Sequence, residues 1–323
     1  MHWSRMLLAT LIIAALPISA VRAAEDYPNR PIRLLIPFPP GGSNDIIGRM
    51  MGVHLGERLG RPVIIDNRSG AGGNLGVELA AKSNPDGYTI LMISAAYSFA
   101  PSMYEKLPYD SEKSFTPVAK IGYGANSLSV HPGLPVRTAK DLIALARAKP
   151  GQINFASAGV GSSVHLASEL FKSMAKIDVV HIPFKGGFPA MIDVISGNSQ
   201  FIIGTLVQAL PQIRTGKLRG LGVADKKRSP AMPELPTIDE SGLPGYEAAN
   251  WWGLMLPVKT PAAIVQRIDK EIAEILMLPE VRKRFAADGA EPEHMSQRAF
   301  AKFIAAETAK WTRVIKQAGI KPQ

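Results

Sequence analysis

The chain has 323 residues, with 37 Lys and Arg against 27 Asp and Glu, and no cysteine. Lack of cysteine excludes a thiol nucleophile, a Cys-ligated metal and a disulfide framework. The net charge of +10 favours anionic partners. The Lys and Arg residues are scattered, however, with no run longer than three, as in Lys226-Lys227-Arg228, and that pattern argues against nucleic acid.

At the start of the chain, Arg5, the apolar stretch Met6 to Ile18 and Val21-Arg22-Ala23 read as a cleavable export signal over residues 1–23. The apolar stretch is shorter than a membrane span needs. Removing Arg5 and Arg22 with the signal takes the charge from +10 to +8. The remaining 300 residues exceed what one core comfortably covers, so two lobes are expected.

Ile32 to Pro37 reads as a strand, and Asn44 to Leu59 as a helix with Ile46, Ile47, Met50, Met51, Leu55 and Leu59 near the 3.6-residue period. Gly60 stops that helix. A strand at Val63 to Asp66, a glycine-rich loop from Arg68 to Asn74, a helix from Leu75 to Lys82 and a strand from Tyr88 to Ile93 complete a βαβαβ order. This order predicts a parallel sheet flanked by helices. Pro101 to Thr116 has loop composition. Val118 to Val130 reads as a long extended segment, broken at Gly122 and Gly124, that carries the chain to a second lobe.

That lobe alternates again. Helices are expected at Thr138 to Ala148, from Ser163, at Pro189 to Ser196 and at Val207 to Thr215. Strands are expected at Ile153 to Ala156, Val179 to Pro183, Gln200 to Ile203 and Leu221 to Ala224, giving a second doubly wound α/β unit. Residues 229–247, rich in Pro and Gly, read as a surface excursion. Ala249 to Leu256 crosses back. Helices at Ala262 to Leu276, Pro279 to Ala287 and Gln297 to Gln317 finish the chain, the last capped by Ser296. The lobes are therefore expected over 24–125 with 250–323, and over 126–249.

Two loops share one design. Phe38 to Asp45 and Ala158 to His165 each lie between a short apolar strand and an amphipathic helix, and both are rich in Gly and in hydroxyl or amide residues. Such a loop delivers backbone N–H groups to a helix N-terminus, where an anion fits. The Asp45 carboxylate reads as a helix-start residue, and His165 as a packing or hydrogen-bonding residue about two turns into its helix. Trp251 and Trp252 read as hinge packing, with one free to face a ligand ring.

Dinucleotide and phosphate motifs fail. Gly70-Ala71-Gly72-Gly73-Asn74-Leu75 lacks the sixth glycine, and there is no G-x-x-x-x-G-K-[ST]. The histidines show no metal spacing. Gly161-Ser162-Ser163-Val164-His165 lacks the closing glycine of a nucleophile elbow, so a hydrolase acting through Ser162 or Ser163 is a minor alternative. No catalytic residue, metal or cofactor is expected.

A series of motifs runs the length of the chain. Tyr27-Pro28 and Pro31 to Gly42 are followed by Asn67-Arg68, Gly70 to Asn74, Pro85 to Thr89 and Leu107 to Asp110. Then come His181 to Gly186, Gly216 to Leu221, Arg228 to Pro230, Leu235 to Thr237, Gly242 to Tyr246 and Ala318 to Ile320. In these the chain resembles the Bug family of periplasmic solute-binding proteins, receptors of tripartite tricarboxylate transporters. The resemblance implies a two-lobe Venus-flytrap fold of the type II-like class. Each lobe is then a doubly wound sheet with flanking helices.

It also implies an uptake role, the alternative being a sensor that docks on a two-component kinase. The ligand is then a small carboxylate gripped by both loops. Phe38, Pro40, Gly41, Gly42, Ser43, Asn44 and Asp45 form one side. Ala158, Gly159, Gly161, Ser162, Ser163 and His165 form the other. Gly72, Asn74, Ser94, Tyr97 and Lys185 line the pocket, and the segment Thr205 to Gln208 faces the far end. Relatives carry an acid or asparagine near Ile203 to Val207, whereas this stretch has neither. That difference implies a ligand without an amino group, a dicarboxylate or an aromatic carboxylate. The expected partners are the transporter's membrane subunits, and the expected state is a monomer in the periplasm.

Overall fold

The computed structural model describes residues 27–322, so the expected export signal lies outside the described residues. In chain order the first elements are β1 (Ile32–Ile36), α1 (Ser43–Leu59), β2 (Val63–Asn67), α2 (Asn74–Ala81), β3 (Thr89–Ser94), α3 (Ala96–Met103) and β4 (Phe115–Gly124). The second group is β5 (Asn126–Val130), α4 (Ala139–Ala148), β6 (Asn154–Ser157), α5 (Ser163–Ala175), β7 (Val180–Pro183), α6 (Gly187–Ile195), β8 (Phe201–Thr205), α7 (Leu206–Arg214) and β9 (Arg219–Val223). The chain then returns through β10 (Asn250–Pro257), α8 (Ala262–Ile275), α9 (Pro279–Ala287), β11 (Ala290–Met295) and α10 (Gln297–Gln317).

Two sheets result, each the centre of one lobe. The first has order β11-β4-β10-β3-β1-β2, and the second β7-β6-β8-β5-β9. β2, β1 and β3 are parallel, as are β7, β6 and β8. The strands that connect the lobes run the other way. β10 is antiparallel to both β3 and β4, and β5 to both β8 and β9. Both sheets are therefore mixed. Their parallel halves follow from the βαβ pattern, and their antiparallel halves from strands that enter from the other lobe.

The middles of β1 and β3 are apolar. Leu34, Leu35 and Ile36 of β1 and Ile90 to Met92 of β3 are fully buried. In α1, Ile47, Met51 and Leu55 form the seam against the sheet. α4 starts with a capping box. Thr138 accepts from the Asp141 N–H at 3.0 Å, and the Asp141 carboxylate accepts from the Thr138 N–H.

Three segments differ from the sequence expectation. Ala96 to Met103 is helical, although it runs into the stretch of loop composition and contains Pro101. It shows no polar face because most of it is buried, so it lacks the amphipathic period. β11 is a strand despite reading Ala-Glu-Pro-Glu-His-Met; as an edge strand it needs no apolar alternation. Residues 229–247 are not a surface excursion. Met232, Leu235, Ile238, Leu243 and Tyr246 are buried in them, and the Tyr246 hydroxyl donates to the Ala167 carbonyl on α5 at 2.6 Å. Prolines and glycines there shape a folded-back strap over the second lobe. Ser296 sits at the N-cap of α10 but makes no side-chain cap bond.

Tyr246→Phe leaves the Ala167 carbonyl with one partner fewer inside the fold. Urea unfolding should show a loss of about 1 kcal/mol at unchanged m-value.

Candidate functional site

The two glycine-rich loops meet across the gap between the sheets. Gly42 is the N-cap of α1 and Ser162 the N-cap of α5. Among the described residues, the N–H groups of Ser43, Asn44 and Asp45 on α1 have no acceptor in the protein. The same holds for Ser163 and Val164 on α5. All four side chains of the stretches Ser43-Asn44 and Ser163-Val164 border one cavity between the lobes. Its wall is completed by Phe38, Gly42, Ser94, Ala158, Ser162, Gly187, Thr205 and Gln208. No lining residue carries a formal charge. The cavity measures about 30 Å³, room for about one water molecule.

Each loop is held by its own side chains. The Asp45 carboxylate is buried and accepts from the Gly41 N–H at 3.0 Å, from Arg49 Nε at 2.9 Å and from Asn67 Nδ2 at 3.0 Å. Burial alone would raise its pKa. The bonds from Arg49, Gly41 and Asn67 outweigh burial and hold it below the usual carboxylate value. Asp45 thus fixes Gly41, whose φ of +79° suits only a residue without a side chain. Its carboxylate does not face the cavity. The Ser162 hydroxyl donates to the Gly159 carbonyl at 2.6 Å and accepts from the His165 N–H at 3.2 Å. A hydroxyl so engaged inside its own loop is not poised as a nucleophile.

A relay reaches the cavity from the hinge. Trp252 Nε1 donates to Asn44 Oδ1 at 3.1 Å, and Asn44 Nδ2 donates to the Ser94 hydroxyl at 3.4 Å. The Ser94 proton is left free for the cavity. Trp252 therefore acts through Asn44, while Trp251 packs edge-on against Phe300 and Phe303; neither tryptophan faces a ligand ring.

The remaining candidates fall into three groups. Gly72, Gly159 and Lys185 border an outer pocket of about 260 Å³ at the cleft mouth, with Phe38 and Ala158 as shared walls. Lys185 brings that mouth a cation. Asn74 and Tyr97 border a small space behind Phe38 with Tyr109. One polar atom of each already has a partner. The Tyr109 hydroxyl donates to Asn74 Oδ1 at 2.6 Å, and the Tyr97 hydroxyl donates to the Ser111 carbonyl at 2.7 Å. Gly41, Asp45, Gly161 and His165 support the loops from behind. Pro40 is exposed and borders none of these spaces. His165 lies in the first turn of α5, not two turns in.

Gly187 was missed in the sequence, whereas Val164 lies in the expected loop and Gln208 ends the segment expected at the far end. Gln208 Nε2 donates to the Gly41 carbonyl at 3.2 Å across the cleft, and the Thr205 hydroxyl steadies its Oε1 at 3.1 Å. The Tyr104 hydroxyl makes a second bridge, to the Val160 carbonyl at 2.9 Å. A glutamine within an apolar helix pattern carries no local signal of such a role; only its position at the start of a helix after a strand hints at it.

Residues 47–320 match the family described as the tripartite tricarboxylate transporter family receptor. The chain belongs to this receptor family. It is 36% identical to Protein BugT of Bordetella pertussis over 99% of both chains. Among solved structures it is similar to Rpa4515 of R. palustris with adipate, at a TM-score of 0.90 and 36% identity, covering 92% of this chain and 100% of that one. It is similar also to MatC of Rhodopseudomonas palustris with bound malate, at a TM-score of 0.86 and 29% identity, over 90% and 100% of the two chains. The two-lobe binding-protein fold of this receptor is thus shared along nearly its whole described length.

Asp45→Ala should cost about 1–3 kcal/mol at pH 7, since it leaves the Gly41 N–H and Asn67 without their acceptor. The depressed pKa sets the sign. The Asp45 contribution is complete above the ordinary carboxylate value and fades as pH falls through the lower folded value. Denaturant unfolding of both proteins at pH 7 and at pH 3 should show the difference between them narrowing in acid.

Proposed function

We propose that the protein is a periplasmic receptor whose lobes close on a small carboxylate and present it to the membrane subunits of a tripartite transporter. The moving bodies are residues 24–125 with 250–323, and residues 126–249. One observation carries this reading. Unpaired backbone N–H groups of α1 and α5 converge on a single cavity that has no charged side chain in its wall. Helix N-termini attract an anion by their orphan donors and their dipoles.

A carboxylate accepting several such bonds, at roughly 1.5–3 kcal/mol each, approaches the ~8 kcal/mol of a micromolar complex before binding costs are subtracted. No Asp or Glu faces the cavity, so an ammonium group would find no partner there. That supports a dicarboxylate or an aromatic carboxylate as ligand. In a dicarboxylate, the second carboxylate would lie toward Lys185 at the mouth. The narrow closed cavity requires the lobes to part for entry, and the closed state is then selected by contacts made only when both loops touch the ligand. The receptor acts as a monomer and transforms nothing.

Adipate and malate are the first probes. In a thermal-shift assay, a ligand at 100 times its dissociation constant adds ~2.7 kcal/mol of stability. No shift from any member of a carboxylate panel would overturn the reading. Gly161 has φ +74°, and a Cβ there would lie 2.8 Å from Tyr104. Gly161→Leu should therefore weaken binding at least tenfold by calorimetry while the far-ultraviolet circular dichroism stays unchanged.

A further inference from the structure

Behind the second loop stand two imidazoles that the ligand contacts leave unused. His165 Nδ1 accepts from the Gly161 N–H at 3.3 Å. His181, on β7, lies against it ring to ring, with centroids 4.3 Å apart, and Phe155 of β6 covers the other face of His181 at 4.8 Å. His181 Nε2 is 2.5 Å from the Ser157 hydroxyl. That hydroxyl also takes the Gly159 N–H at 3.1 Å.

The donor fixes the tautomer of His165. An N–H pointing at His165 Nδ1 requires that nitrogen to be bare, so the ring proton is on Nε2, and the neutral ring lends a lone pair to the loop from Ser157 to Ser162. The Ser157 hydroxyl accepts from Gly159 and lies against His181 Nε2, where either atom can be the donor. Two of the loop's amides, Gly159 and Gly161, are held in this way, one through Ser157 and one directly. These glycines have φ values of +105° and +74°. With them held, the next two amides, of Ser163 and Val164, point at the cleft.

We propose that His165 is the positioning residue of this ligand loop: its neutral ring, backed by His181, fixes Gly161 so that the start of α5 faces the cleft. The consequence for binding rests on the reading of the loop as a ligand-gripping element; the bond itself does not. A protonated Nδ1 would turn an acceptor into a donor and confront the Gly161 N–H with another hydrogen.

The surroundings keep the ring neutral. Its own helix brings Glu169, whose Oε1 is 3.9 Å from His165 Nε2 and so beyond hydrogen-bond range, and Lys172. β7 brings His181, and β6 brings Phe155 and Ser157, which do not ionise. Burial first, then His181 and Lys172, push His165 down to about 3. Burial and Lys172 push His181 down to about 4. Burial pushes the Glu169 carboxyl up. Both histidines charge on unfolding, at about 6.5. Their contribution to stability is therefore complete above that value and falls away as pH drops toward 4 and 3.

The test is nitrogen-15 NMR of the full mature protein without ligand, at pH 7. His165 Nδ1 should show the shift of a bare nitrogen and a coupling through the hydrogen bond to the Gly161 amide. His165→Phe should lose that coupling and speed Gly161 amide exchange about tenfold, whereas His165→Gln, which offers an oxygen in its place, should keep exchange within about threefold of wild type. A protonated Nδ1 in the wild type, or unchanged Gly161 exchange in the Phe variant, would overturn the proposal. Where the Phe variant does not fold, the wild-type tautomer and coupling decide alone. Failure of the carboxylate screen leaves this result standing, so the two readings fail separately.

Discussion

Everything about this site depends on keeping a few backbone N–H groups without partners in a place where the chain would normally satisfy them. A buried amide without an acceptor is costly, and proteins rarely tolerate several together. Here several neighbouring polar groups are removed from competition. The Ser162 hydroxyl is tied to Gly159, Asn44 is tied to Trp252 and Ser94, and Gln208 is tied to Gly41 and Thr205. What remains at the cleft is a set of donors that only an incoming acceptor can satisfy.

The two loops reach the same end by different chemistry. The α1 loop is braced by a charge: Asp45 draws in Gly41, and Arg49 and Asn67 share the load. The α5 loop is braced by a neutral ring stacked on another neutral ring. The difference follows from the surroundings. Arg49 is half-exposed and can keep Asp45 solvated from outside, whereas His165 is sealed beneath its loop, where an ion would be expensive.

Much of this was legible in the sequence. The βαβ alternation, the placement of both loops and the crossings near 125 and 250 all come from apolar runs punctuated by glycine and proline. The parts that were not legible share one cause: they are decided by what lies across space. Ala96 to Met103 hides its helix because both faces are buried, and the 229–247 strap reads as surface because its four prolines and two glycines break its apolar residues into isolated positions with no period. The resemblance to the receptor family named two loops and the segment Thr205 to Gln208, and residues of all three border one cavity. Within the loops Asp45 and His165 hold backbone amides, and the Tyr97 hydroxyl donates to the Ser111 carbonyl. What was not legible is the bond from Gln208 across the cleft to Gly41.

The return crossing lies directly beside the outgoing one. Asn250 pairs with Gly124, Asn126 Nδ2 donates to the Ala248 carbonyl at 2.7 Å, and the Ala224 N–H donates to the Asn126 carbonyl at 2.7 Å. Two hydrogen-bonded strands side by side form a ribbon, and a ribbon bends and twists far more readily than it slides along itself. On the proposed reading of two moving lobes, this joint favours a swing about one axis over a sideways slide. A ligand of the wrong length would then meet the helix starts at the wrong separation. The joint is in that sense a ruler as well as a hinge.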